Sequence, residues 1–182
     1  MPSAFRFDNI ISVDVETAGP NPGQYALLSI GACTLTDPRQ TFYVEIQPSN
    51  QDFVSEAIAV HGLSLDTLAV HGLPPSEAMQ NFAVWLKGVV PAGRRPQFLA
   101  FNAPFDWMFV CDYFHRYLGY NPFGHTAIDI KAYTMGKTGL SWEETSWGKI
   151  AGRYLGNRQL AHHALQDALD QAEIFQKIFS EA

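Results

Sequence analysis

Asp14 and Glu16 stand two residues apart in the segment Ile10–Thr17, where Ile11, Val13 and Val15 alternate with Ser12, Asp14 and Glu16. Such alternation predicts a strand with one apolar face. Both acids then point to the same side, within about 7 Å of each other. Carboxylates held that close repel unless a cation stands between them or water screens both. The segment is therefore either an edge strand whose polar face meets solvent or a strand whose acids serve a common cation. Thr17-Ala18-Gly19 ends it in small residues that let another chain approach the backbone. The D-x-D-x-T signature of phosphatases with an aspartyl nucleophile competes for the same positions. It needs a second Asp where Glu16 stands, and glutamate is too long for that acid/base role.

The remaining patterns place this strand in a sheet. Tyr25 to Thr36 and Gln40 to Pro48 read as two more strands joined by a turn at Asp37-Pro38, an antiparallel opening. Ser55 to Leu68 reads as short helices around Val60-His61-Gly62-Leu63. A longer helix starts at Pro74-Pro75-Ser76-Glu77 and runs to about Val90, with Met79, Phe82, Ala83 and Leu86 on its apolar stripe. Pro96 to Asn102 is a strand, and Ala103 to Gly119 a helix opened by Pro104 and closed by Gly119. His125 to Ile130 supplies a fifth strand. After a Gly/Ser-rich, Trp-containing stretch, a last helix runs from about His163 to Ser180. Strands first in a run and then alternating with helices predict one α/β domain over 1–182, a mixed five-stranded sheet flanked by helices.

Composition excludes several classes. With 47% hydrophobic and 16% charged residues the chain builds a core and is not disordered. No run reaches the length of a membrane span, and Met1 to Ile10 lacks the apolar stretch of a secretory signal. Cys33 and Cys111, two and far apart, suit reduced thiols, so a cytoplasmic location is expected. A net charge of −6 argues against a protein that coats duplex nucleic acid. Between Lys131 and Arg158 five basic residues face only Glu143 and Glu144, a local excess of +3 that fits either a solvated face or a phosphate chain.

Two further acids stand out. Asp106 falls in the first turn of the helix opened by Pro104, where the helix dipole alone favours an acid, and Asn102 ends the preceding strand as a turn residue would. Asp167 lies five residues beyond His162. On one continuous helix that spacing separates the pair by about 140°, so they converge only if His162 lies in the loop ahead of the helix. His163 reads as a solvent-facing neighbour. Taken singly each feature has an ordinary structural reading. Gathered in one cleft, however, Asp14, Glu16, Asp106 and Asp167 would be very costly without cations. Hard divalent ions, Mg²⁺ or Mn²⁺, suit carboxylate oxygens, and no Cys/His cluster favours zinc.

D-x-E-T at Asp14, N-x-x-x-D at Asn102 and H-x-A-x-x-D-A at His162 appear once each, in that order. This three-part pattern, spread from Ile10 to Ala172, resembles the DEDDh 3'-5' exonucleases, and within them is most similar to the ribonuclease T group. The resemblance implies a ribonuclease H-like fold. It also implies two Mg²⁺ or Mn²⁺ ions about 4 Å apart, held by Asp14, Glu16, Asp106 and Asp167, with Asp14 as the bridge and His162 as general base. The implied substrate is the single-stranded 3' end of RNA or DNA, cut to nucleoside 5'-monophosphates. On the substrate side it places Thr17, Ala18, Leu28, His61, Phe101, Asn102 and Phe105, with Trp107 as a further stacking candidate, and for most of these aromatics a place in the core reads equally well. It carries the expectation of a homodimer as well. Pro20 and Ser29 depart from ribonuclease T, which has an aromatic and often an acid there, so base preference does not transfer. A silent end-binding or partner-recruiting domain of the same fold remains the alternative, and a phosphatase of small phosphoesters the third.

Overall fold

The computed structural model describes residues 6–156 and 158–181. Five strands, β1 (Ile10–Thr17), β2 (Leu27–Thr34), β3 (Thr41–Glu45), β4 (Gln97–Ala100) and β5 (Ala127–Asp129), form one sheet in the order β3-β2-β1-β4-β5. β1, β2 and β3 pair antiparallel, whereas β4 and β5 run parallel to β1. The helices are α1 (Ser55–His61), α2 (Leu65–His71), α3 (Pro75–Val89), α4 (Ala103–Leu118), α5 (Ile130–Thr138), α6 (Trp147–Tyr154) and α7 (Ala164–Ser180). A 3-10 turn at Trp142–Thr145 precedes α6. None of the described helices is long and apolar enough to cross a membrane.

The alternation in β1 sorts its residues between two cores. Ile11, Val13 and Val15 join Phe82, Phe98 and Phe109 under α3 and α4. Ile10, on the opposite face, belongs with Leu99, Ile174, Phe175 and Ile178 under α6 and α7. The polar face of β1 is therefore covered by a helix, not by solvent. Ser12 is wholly buried and Glu16 is 9% exposed.

Gly31 explains how α7 comes so near. It pairs with Asp14 across the β1–β2 ladder, and a Cβ built on it would fall 2.1 Å from the backbone of Ala164 and Leu165. The first turn of α7 rests on that bare backbone.

Two stretches differ from the sequence expectation. The Gly/Ser-rich region before the last helix holds the end of α5, the 3-10 turn and α6. Glycines at 148 and 152 dilute the helical signal of α6, and the face carrying Ile150, Ala151 and Tyr154 stabilises it by packing on the α7 core. Its basic residues are partly engaged within the fold: Lys131 lies over Trp142 at 3.9 Å, and Arg153 pairs with Glu181 at 3.2 Å. The fifth strand is shorter than read, because Asp129 ends it by capping α5 through the Ala132 amide. Cys33 is buried and Cys111 half-buried, both as free thiols.

Candidate active site

Strand β1 delivers the first two acids. Its pairing with β4 stops at Ser12 opposite Leu99, after which β4 turns away into α4. The Val15 amide, left without a strand partner on that side, donates to Asp106 Oδ1 at 3.2 Å. The same contact fixes Asp106 beside β1 from the first turn of α4. The turn between β4 and α4 is sharp enough to put Asn102 in the left-handed region, at φ 65°. Asparagine is one of the few non-glycine residues that tolerates it. The Ala103 amide that follows donates to Asp129 Oδ2 at 2.6 Å.

The second left-handed non-glycine residue is His162, at φ 51°, in the loop just ahead of α7. The geometry is the one that lets His162 and Asp167 converge. Asp167 accepts from the Ala161 amide at 2.8 Å and the His163 amide at 3.3 Å, so the carboxylate folds the loop onto the start of its own helix. Upstream, Arg158 pins the loop to α7 through Asp170 at 2.5 Å, a carboxylate only 1% exposed. His163 is exposed and stacks on Tyr43 at 4.6 Å between ring centroids.

These elements enclose a cavity of about 160 Å³ lined by Asp14, Glu16, Asp106, Asp167, His162 and Asn102, with Phe101, Phe105 and Leu160 among its apolar walls. Carboxylate oxygens of Asp14, Glu16 and Asp167 all lie within 4.8 Å of one another. Among the described residues no ion pair with Lys or Arg reaches any of the four acids. Their acidities record the strain. Burial, followed by repulsion from Asp106, Glu16 and Asp167, raises the pKa of Asp14 well above the usual range. Burial and Asp167 push Glu16 up to about 8. Burial also raises Asp106 and Asp167, partly offset by the backbone amides each accepts. A crowded all-oxygen set without an internal counter-ion fits a hard divalent cation.

A stability profile follows from these shifts. A carboxyl whose folded pKa exceeds its unfolded one costs stability as pH rises through that interval. For Glu16 the window runs from 4.5 to about 8. The metal-free protein is expected to lose on the order of a few kcal/mol between about pH 5 and pH 8. Chemical denaturation at the two pH values measures it, and saturating Mn²⁺ should remove most of the difference.

A second cavity of about 210 Å³ shares Val15, Glu16 and Phe105 with the first and adds Thr17, Val60 and His61. The Leu63 amide donates to His61 Nδ1 at 3.0 Å, so Nε2 carries the proton and donates to the Thr17 carbonyl at 3.2 Å. Nε2 thereby moors the end of α1 to the end of β1, while Nδ1 is taken by the chain that leaves α1. The same Val-His-Gly-Leu run recurs at Val70 to Leu73, where His71 is exposed. Thr17 is 5% exposed and its hydroxyl donates to the Gly19 carbonyl at 2.9 Å.

Three of the substrate-side candidates line neither cavity. Leu28 and Ala18 are fully buried in a small core with Ala26 and Leu68. The backbone groups of Ala18 are also committed, its N–H to Ala26 and its C=O to Val54. Trp107 packs edge-on against Phe98 at 5.3 Å, within the α3/α4 core and outside the acid cavity. Sequence reading also missed Gln171, whose amide contacts Asp14, and Asp129, behind Asp106 and Asn102. Gln171 carries a weak signal, one helical turn beyond Asp167. Asp129 carries a better one, an acid at the junction of strand and helix.

The comparisons with known proteins agree with this geometry. Residues 9–179 match a family described as "3'-5' exoribonuclease Rv2179c-like domain". The chain is 46% identical over 168 residues to the 3'-5' DNA exonuclease Cap18 of Escherichia coli, covering 92% of this chain and 90% of that relative. It is 31% identical over 185 residues to ribonuclease T of Yersinia pseudotuberculosis, covering 94% and 84%. Among solved structures, the nuclease domain of 3'hExo, described as a DEDDh family member bound to rAMP, superposes with a TM-score of 0.77 at 15% identity. That match covers 95% of this chain and 92% of the other. Escherichia coli exonuclease I in complex with a dT13 oligonucleotide gives 0.73 at 16% identity, over 94% of this chain and 41% of that one. At such identities these structures speak for the ribonuclease H-like fold.

Proposed function

Since this chain belongs to the Rv2179c-like 3'-5' exoribonuclease domain family, within the DEDDh 3'-5' exonucleases, we propose that it shortens single-stranded nucleic acid from the 3' end and releases nucleoside 5'-monophosphates. The observation that carries the reading is the single cavity around which β1, α4 and the loop before α7 assemble four carboxylates and an imidazole. Asp14, Glu16, Asp106 and Asp167 would hold two Mg²⁺ or Mn²⁺ ions. Bound divalent cations supply Lewis acidity toward a phosphodiester and lower the pKa of water.

The chain's own residues do the rest. His162 stands outside the helix, exposed at the rim, where an imidazole nitrogen can take the proton from the attacking water. Asp167 shapes the loop that carries it, and Arg158 with Asp170 closes that loop against α7. Phe105 lines both cavities and Phe101 walls the first. Their rings offer stacking surfaces for the terminal bases, each contact contributing about 1–3 kcal/mol. This grip suits an acidic protein, since stacking needs no basic groove.

The test uses 5'-labelled single strands of RNA and DNA of matched sequence, incubated with Mg²⁺ or with EDTA. A ladder of products shortened from the 3' end, with nucleoside 5'-monophosphates released and EDTA blocking both, is expected. Intact strands of both sugars in Mg²⁺ would refute the proposal. Running both sugars decides the substrate, because the family is described by RNA and the Escherichia coli relative by DNA. His162→Ala should lower the turnover number about 100- to 10,000-fold with the circular dichroism spectrum and Mn²⁺ affinity unchanged. Full turnover in that variant would remove His162 from the role of base.

A further inference from the structure

Gln171 is 1% exposed and sits on the face of α7 that covers the acids. Its Oε1 accepts the Phe101 amide at 2.9 Å, and its Nε2 donates to Asp14 Oδ1 at 2.5 Å. The first contact settles the orientation of the carboxamide. Only an oxygen accepts from a backbone N–H, so the NH₂ group must face Asp14. The Phe101 amide is available because β4 ends at Ala100. Gln171 therefore spans α7, the end of β4 and the middle of β1 with one side chain.

From this we infer that Gln171 is a positioning residue for metal binding, holding the Asp14 carboxylate in the orientation that serves a divalent cation. The inference rests on the exonuclease reading above and deepens it. The residue type is what the task requires. A lysine here would place a positive charge among the four acids and compete with the ion. A fifth acid would add repulsion. An aliphatic residue would take away the partner of the half-buried Phe101 amide and leave the Asp14 carboxylate with nothing to fix its rotation. A carboxamide donates to Asp14, satisfies Phe101 and leaves the charge of the cluster unchanged. Outer groups that orient metal ligands in this way typically govern affinity.

The experiment compares the wild type with Gln171→Leu and Gln171→Met, which keep the bulk and remove the donor and acceptor. The Mn²⁺ dissociation constant is read by isothermal titration calorimetry, and the fold by circular dichroism. Affinity is expected to weaken about 10- to 100-fold, with turnover restored at a correspondingly higher Mn²⁺ concentration. A merely structural defect would not show that recovery. A dissociation constant within about twofold of the wild type in either folded variant overturns the inference and leaves the exonuclease reading standing. Failure of both variants to fold overturns it as well, assigning Gln171 to the core. Absence of Mn²⁺ binding by the wild-type chain overturns the exonuclease reading and this inference together.

Discussion

Asp14→Asn is expected to abolish Mn²⁺ binding and nucleotide release while raising the melting temperature of the metal-free protein. The two effects share one cause. Asp14 stands among Asp106, Glu16 and Asp167, and burial with their repulsion raises its pKa. An asparagine keeps an oxygen to accept from Gln171 Nε2 and removes one charge from the crowd. The fold relaxes, and the cation loses a ligand it cannot replace. The sign depends on pH. The variant's gain grows as pH rises and the wild-type carboxyls ionise, an interval that for Glu16 reaches about 8. Near pH 5 a carboxyl such as Glu16, with a folded pKa of about 8, is protonated in the native state, and the gain shrinks. Calorimetric titration with Mn²⁺ and thermal melts at both pH values check both halves. Unchanged Mn²⁺ affinity would end the assignment of Asp14 as a ligand.

Gly31→Ala should be the most damaging single-methyl change in the sheet. The added Cβ would meet the backbone of Ala164 and Leu165 at 2.1 Å, and backbone cannot step aside as a flexible side chain would. Strand and helix must separate, and the loss is about 1–3 kcal/mol or more. Because Asp14 lies opposite Gly31 and Asp167 rides on the displaced helix, the acids part as well. A misplacement of about 1 Å is enough to cost roughly 100-fold in rate. Gly88→Ala in α3 is the control. Its new Cβ meets nothing within 4 Å, so a gain of up to about 1 kcal/mol is expected from helix propensity. Urea unfolding of both variants, with turnover measured beside it, separates a steric effect at Gly31 from a general intolerance of alanine.

How much of this was legible in the sequence depends on the range of the cause. Alternation in β1, the Pro104 opening and the His162–Asp167 spacing are local, and the structure follows them. The left-handed turn at His162 realises the condition that spacing imposed. The contacts that converge from afar were not legible. Gln171 meets Asp14 from 157 residues away, and nothing in either segment announces the other. Leu28 was placed near the nucleotide on the resemblance, and period-two patterning could not show which faces of its strand are covered. Every residue of β2 is buried, so the strand has no open position. Helix α6 escaped notice because packing, not propensity, sustains it.

Asp129 has a consequence for how the molecule breathes. One oxygen of its carboxylate receives the first amide of α4, and the other receives an amide in the first turn of α5. Two helix starts thus share one anion, and neither can fray without loosening the hold on the other. Local opening at the left-handed Asn102, on the floor of the acid cavity, is tied to opening at Ala132, thirty residues further along the chain. In hydrogen exchange the Ala103 and Ala132 amides are expected to open as one cooperative unit, so that the cavity lining loosens in rare, joint events instead of continual small ones.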